Sequence, residues 1–342
     1  MTPPPRSLRA GVIGLGVGAR HIASYQAHAR CTVVAICDFD TRRLQEVGAQ
    51  HPGLRLTTQA ADILTDPQID VVSIASYDNY HSEQVLAAVK AGKHIFVEKP
   101  LCLTDEEFGE IDAALCVHPE VQLSSNLVLR SSPQFQNLRQ KIQSGSLGRL
   151  FHLEGDYNYG RVEKLTGGWR GQIPFYSVSH GGAIHLIDLL LWLSGGRVSS
   201  VVAAGNQIVT KGTQFKYPDM MTALLKFTGG MTANITANFA CEMPHHHGLA
   251  VHGSAGSFKH DFLGGAYYRS RDPASAVELV NLKSDSTHKG DVQHAFVARI
   301  LDGTPSAVSA ADTMNAMAVS LAVERSLVSN AWEPVHYARS HT

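Results

Sequence analysis

The stretch Ala10-Gly-Val-Ile-Gly-Leu-Gly-Val-Gly-Ala19 constrains the fold more than any other part of the chain. An apolar run, Ala10–Ile13, stops at alternating glycines, Gly14, Gly16 and Gly18, and a helix-forming segment opens at Ala19. Read as G-x-G-x-x-A, the pattern demands a strand before it and a helix after it. The first glycine makes the tight turn, and the second lets backbone amides at the helix N-terminus approach a pyrophosphate. Glycines alone are weak evidence. Here a second apolar run, Thr32–Ile36, leads to Cys37-Asp38, 24 residues after Gly14, where an acid is needed to hold adenosine ribose hydroxyls. Strand, glycines, helix, strand and acid in register predict a dinucleotide site with Gly14, Gly16, Val17, Gly18 and Asp38 in it. Asp38 selects NAD over NADP, because a carboxylate repels a 2′-phosphate, although Arg42 and Arg43 follow within reach of one.

The rest of the first 125 residues continues the alternation. Val71–Ala75 and His94–Val97 read as buried parallel strands; Ala19–Ala29, Ala60–Leu64 and Ser82–Ala91 read as helices, with Gly92 as a stop. Thr104 and Glu107 form a capping box that starts another helix. Beyond residue 125 the texture changes. Helices are expected at Pro133–Ser144, Ala183–Leu193, Asp291–Leu301 and Ala310–Ser329. Strands are expected at Leu150–Tyr159, Val198–Val209, Met220–Phe227, Met231–Phe239 and Leu249–His252, with a hairpin break at Thr228-Gly229-Gly230. The predicted fold is α/β. A doubly wound parallel Rossmann sheet spans residues 8–125. A C-terminal α/β domain with an open, mostly antiparallel sheet spans residues 126–335.

A length of 342 residues suits two domains, each with its own core. The formal net charge of -1, with no basic stripe, argues against nucleic acid as a partner. No apolar run approaches the ~20 residues that span a bilayer. The Pro-rich start, Met1–Arg9, lacks the apolar segment of a signal peptide, so a frayed tail on a cytoplasmic protein is expected. Five scattered cysteines form no C-x-x-C pair and indicate neither disulfides nor zinc. The run His245-His246-His247 invites a metal reading. Neighbours in an extended segment point to opposite faces, however, and no acid or cysteine stands at ligand spacing, so no metal is expected.

From Gly14 to Pro100 the chain resembles the glucose–fructose oxidoreductase / inositol dehydrogenase (Gfo/Idh/MocA) family. The residues that carry this are the glycine loop with His21 after it, His81 opening a helix, and Gly92-Lys93-His94 leading to Glu98-Lys99-Pro100. Later stretches are similar too: Asn126 with Arg130 and Pro133, His185-Leu-Ile-Asp188, Val251–Gly256 and the Ser320–Ser326 helix. The resemblance implies hydride transfer between NAD and a secondary alcohol or hemiacetal of a sugar, polyol or sugar derivative. It also implies an oligomer, a dimer or tetramer, formed through the open sheet. It places Lys99 near nicotinamide and substrate hydroxyl as a general acid/base, and brings Ser76, His81 and Glu98 to the cofactor.

One position departs from the family pattern. Most members carry an Asp four residues before the catalytic His, and here that position is Gly181. Lys99 and His185 therefore lead the candidate acid/base groups, followed by His180 and by Tyr176, since a phenol is the proton donor in some relatives. Asp188, one turn beyond His185, is expected to orient rather than react. Arg130, Arg161, Trp169 and Arg170, with one of the three histidines (His246), are candidates to grip a carboxylate or phosphate and to stack on a sugar face. The altered acid position keeps open a redox-neutral, NAD-dependent glycoside-cleaving enzyme, and a cofactor-sensing homologue without chemistry is a third possibility.

Overall fold

The computed structural model describes residues 7–282 and 290–339. Residues 1–6 of the Pro-rich tail lie outside them, and Leu8 and Arg9 open the first strand instead of ending that tail. The chain divides into two compact units: Met1–Leu127 with Ser286–Met314 and Ala338–Thr342, and Val128–Asp285 with Asn315–Tyr337.

The first unit is built on six parallel strands: β1 (Leu8–Ile13), β2 (Cys31–Cys37), β3 (Arg55–Thr57), β4 (Val71–Ile74), β5 (His94–Val97) and β6 (Leu123–Ser125). Their order, β3-β2-β1-β4-β5-β6, reverses direction between β1 and β4. Both faces of such a sheet are covered, which is why β4 is buried at every position and reads as a continuous apolar run. Connecting helices are α1 (Gly18–Gln26), α2 (Thr41–Gln50), α3 (Ala61–Leu64), α4 (His81–Lys90) and α5 (Asp105–Val117). Helix α2 presents a narrow apolar face, Leu44 and Val47 one turn apart, on an otherwise polar segment. Its start is set by Asp40, whose carboxylate accepts from the amides of Arg42 and Arg43. At the head of α5, Thr104 accepts from the Glu107 amide while Glu107 accepts from Leu103. The helix Asp291–Asp302 belongs to this first unit rather than to the second: Phe296 packs 6.0 Å from Phe96, and His294 Nε2 lies 2.7 Å from the Ser24 carbonyl. All five cysteines are free thiols, and burial pushes those of Cys31 and Cys37 up, to about 12 and about 11.

The second unit carries nine strands: β7 (Leu150–Asn158), β8 (Val198–Asn206), β9 (Met220–Phe227), β10 (Thr232–Asn238), β11 (His246–Gly253), β12 (Gly256–Asp261), β13 (Gly264–Tyr268), β14 (Glu278–Val280) and β15 (Glu333–Pro334). They form one sheet in the order β14-β13-β12-β11-β7-β10-β9-β8-β15, antiparallel except where β10 runs parallel to β7. Strand β8 stops at Asn206, short of the Val209 expected from its apolar run. Beyond it the amide and hydroxyl of Thr210 bind Asp219 and turn the chain.

The helices of this unit are α6 (Pro133–Gln143), the short α7 (Glu163–Thr166) and α8 (Ile184–Ser194), the last preceded by a π-helical turn, Ser179–Ala183. Leu153, Tyr157, Ile235, Ala237, Ala223, Leu225 and Val251 face the buried side of the sheet, and α8 comes close enough to β7 that Leu186 would touch a side chain at Gly155. On the other face β7 presents His152, Glu154, Asp156 and Asn158 beside Thr232, Asn234, Thr236 and Asn238 of β10. The outward rows of these two strands are polar. Among the described residues, no helix is long and apolar enough to cross a membrane.

Candidate functional site

In the first unit the glycine loop lies at the carboxyl end of β1, beside the order reversal where open parallel sheets bind ligands. Gly14 has φ +84, and a Cβ there would run into the Ala75 backbone, so only glycine fits. Around Gly16 the space is open: the single neighbour of a Cβ would be the Arg43 guanidinium, 3.3 Å away. Gly18 lets α1 sit close to Val12 and Ala75, and Val17 is half exposed. Asp38 is buried at the end of β2, with one carboxylate oxygen 2.7 Å from the Leu15 amide and the other 2.9 Å from the Asp40 amide. An open cradle over Gly16, amides at the head of α1 and a buried acid at the ribose position fit NAD. The guanidinium of Arg43 over the loop is the cation that the sequence placed near a phosphate.

Glu98 and Lys99 follow β5 at the same end of the sheet. Glu98 accepts from Asn126 Nδ2 at 2.6 Å and faces His21 Nε2 at 3.2 Å, while His21 Nδ1 lies 2.8 Å from Ser73 Oγ. Burial alone would raise the Glu98 carboxyl, but His21, the Lys99 charge and Asn126 hold it below the usual range, so an anion sits beside the half-buried Lys99. His81 is fully buried between two backbone carbonyls, Pro100 at 2.6 Å and Ser76 at 3.1 Å. A neutral ring donates to one of these carbonyls, which ties His81 to the turn that carries Lys99 or to the end of the loop after β4. The Ser76 hydroxyl donates to Gln84 at 2.8 Å. His21 and Asn126 carried the family resemblance without an assigned role, and their part in fixing Glu98 emerges only when β1, β4, β5 and β6 are aligned.

In the second unit, Tyr157 on β7 gathers rings from distant stretches of chain. His185 stacks on it at 6.1 Å, His247 and His245 meet it edge-on at 5.2 and 5.4 Å, and Tyr159 and Phe239 lie at 5.7 and 5.6 Å. Strand alternation decides which histidines arrive. His246 pairs with Asn158 in the register, lies 3.3 Å from its amide nitrogen and packs on Phe262, so it belongs to the opposite face. Its neighbours His245 and His247 replace it as ring-cluster residues. Burial, followed by the charges of His245, His246 and His260, lowers His247 to about 3. Burial and the Arg161 charge also lower His245. Among the described residues, no group of three or more His, Cys, Asp or Glu side chains is placed to hold a metal ion.

Gly181, the position where the resemblance led to an acid being expected, is closely packed in the structure. A Cβ there would coincide with the Tyr176 hydroxyl, so this phenol fills the space a side chain at 181 would need. Arg170 donates from Nε to the same hydroxyl at 3.0 Å, and its guanidinium lies 4.8 Å over the Trp169 ring. His180 is wholly buried on the π-helical turn, with Nδ1 2.8 Å from Ser320 Oγ, which places it in the core. Arg130 is buried in a two-pronged pair with Asp188, Nε to Oδ2 at 2.9 Å. That pair ties the Val128–Ser131 turn to α8 and leaves Arg130 a structural residue rather than a substrate ligand.

The first unit is thus a Rossmann-type dinucleotide-binding domain, and the second is an open-sheet α/β unit bearing a cluster of rings and guanidiniums. Models of one family describe both. The oxidoreductase family with an NAD-binding Rossmann fold (GFO/IDH/MocA) matches residues 8–125, and the GFO/IDH/MocA C-terminal domain matches residues 135–259. The chain belongs to the GFO/IDH/MocA family. An inositol 2-dehydrogenase of Saccharopolyspora erythraea is 28% identical over 58% of this chain and 57% of its own, so the chain spans little more than half of that relative's length. A myo-inositol 2-dehydrogenase of Thermotoga maritima is 25% identical over 94% of this chain and 96% of its own. The solved structure of levoglucosan dehydrogenase, in complex with NADH and L-sorbose, shares the fold with a TM-score of 0.85. It is 22% identical and covers 97% of this chain and 100% of that one.

Proposed function

We propose that this protein is an NAD(H)-dependent dehydrogenase or reductase acting on a secondary alcohol, or the matching ketone, of a sugar, polyol or sugar derivative. The observation that carries the reading is the meeting of the Gly14–Gly18 loop, the buried Asp38 and the anchored Glu98-Lys99 pair at the carboxyl end of one parallel sheet. The names of the relatives, inositol dehydrogenases and a levoglucosan dehydrogenase, support the substrate class.

The loop amides and Asp38 would hold NAD, whose nicotinamide supplies the acceptor or donor of a hydride. The chain's own residues handle the proton. Lys99, next to the anchored Glu98, exchanges a proton with the substrate hydroxyl oxygen. His185, its ring laid against Tyr157, is the second candidate for that proton, and Tyr176, held by Arg170, is the third.

The space at Gly181, taken by a phenol rather than an acid, favours one further reading: a redox-neutral reaction in which NAD is reduced and regenerated within each turnover. NADH absorbance with a panel of aldoses, inositols, sugar acids and sugar nucleotides, with NAD and NADP in parallel, separates the two. Net NADH formation that collapses in Lys99→Ala supports the dehydrogenase. Cleavage of a glycoside with NAD bound and no net NADH supports the redox-neutral enzyme, and neither product in any assay overturns both.

A further inference from the structure

Taking the dehydrogenase reading as given, the ring cluster of the second unit narrows the substrate. Arg161 lies with its guanidinium 5.2 Å over the Tyr159 ring, and Tyr159 in turn sits 5.2 Å from His245 and 5.7 Å from Tyr157. Among the described residues, no carboxylate forms an ion pair with Arg161. Glu163 and Glu242, acids close to this region in the sequence, are exposed and face solvent. Arg170 brings a second guanidinium, 5.6 Å over the Tyr176 ring. The charges that act on Tyr157 come from these two arginines and from phenols, with no carboxylate among them. His245 and His247 are kept neutral near pH 7, so they offer hydrogen bonds and leave the charge to arginine.

A planar guanidinium resting on an aromatic face pairs with a carboxylate through two parallel hydrogen bonds, while neighbouring rings cover the apolar face of a sugar. We infer that the substrate is an anionic sugar, a uronate or aldonate. Arg161 binds its carboxylate, Arg170 adds to the positive field, and the partly exposed Tyr159 ring, backed by the buried Tyr157, carries its carbon chain. A phosphorylated sugar shares the charge but not the shape. Phosphate sites draw on backbone amides at glycine-rich turns or helix N-termini, whereas Arg161 and Arg170 present side chains set on rings.

Calorimetric titration of the NADH-loaded protein tests this with matched pairs, D-glucuronate against D-glucose and D-gluconate against D-glucitol, with D-glucose 6-phosphate as a third arm. The acid of a pair is expected to bind at least about tenfold more tightly than its neutral partner, a preference that weakens as salt is added. Arg161→Gln erases the preference and Arg161→Lys keeps part of it. Equal binding of acid and neutral sugar, tighter binding of the phosphate than of either acid, no binding by any of them, or a preference that survives in Arg161→Gln overturns the inference. Acids that bind through Arg161 while no substrate yields NADH leave the acid site standing and remove the dehydrogenase reading. Neutral sugars that are oxidised while acids neither bind nor react do the reverse.

Discussion

The two candidate ligand surfaces, one in each unit, are made of different material. In the first unit the ligand surface is backbone: loop amides, a turn only glycine can make, and one acid anchored to that loop. In the second unit the surface is side chains, Tyr157, Tyr159, Arg161, Arg170, His185, His245 and His247, drawn together by strand register and a π-helical turn. A backbone site tolerates almost no substitution where the chain must bend, and it is indifferent to side chains elsewhere. A side-chain site can be retuned one residue at a time. That is how one cofactor unit can serve many substrates.

The contrast is tested most severely at Lys99, the side chain of the backbone-built first unit that is proposed to handle the proton. Lys99→Ala is expected to lower turnover by about 10²–10⁴-fold while NADH affinity changes little, read by steady-state kinetics beside a fluorescence titration. An equal loss of cofactor binding would instead make Lys99 part of the cradle. Next in size, Gly14→Ala should weaken NADH binding by about 100-fold or more, because no L-residue meets both the positive φ and the Ala75 backbone; near-native affinity would show that the loop can rearrange.

Gly181→Ala drives a methyl into the Tyr176 phenol and should destabilise the protein by about 1–3 kcal/mol in urea unfolding. NADH titration should stay unchanged, and Tyr176→Phe, which removes the nearest atom, should recover part of the loss. The smallest effect lies at Glu324, whose carboxyl bonds to Ser177 and is raised by burial to about 7, the hydrogen bond only partly offsetting this. A carboxyl raised on folding contributes stability below its unfolded value, and that stability drains away as the pH climbs to 7. Glu324→Gln should therefore raise the melting temperature by roughly 3–6 °C at pH 8 and leave it unchanged at pH 4; an equal shift at both would refute the titration.

The same contrast governs what the sequence revealed. The glycine loop, Asp38 and the buried strands β1, β2, β4 and β5 were legible because backbone recognition and parallel strands leave local, contiguous signatures. Helix α2 was not, since its apolar face amounts to Leu44 and Val47 alone and the segment is otherwise polar. Strands β12 to β14 were missed as short, glycine-rich or polar segments toward one end of a sheet. Among the site residues, Arg130 and His246 carried the right chemistry and lie in the wrong places. A buried partner, Asp188, claims Arg130, and a single step of strand alternation turns His246 away from Tyr157. Neither the partner nor the parity is visible until distant segments are paired.

The phenol in the space of residue 181 also bears on which substitutions the fold accepts. Placing an acid at that position takes an ordered pair of changes, because any side chain added before Tyr176 has moved or been replaced meets an occupied volume. The tyrosine must give way first, and with it goes the bond that Arg170 makes, so neither single change leaves both the local packing and that bond intact. Substitutions in the ring cluster are therefore expected to be tolerated more readily than an acid at position 181.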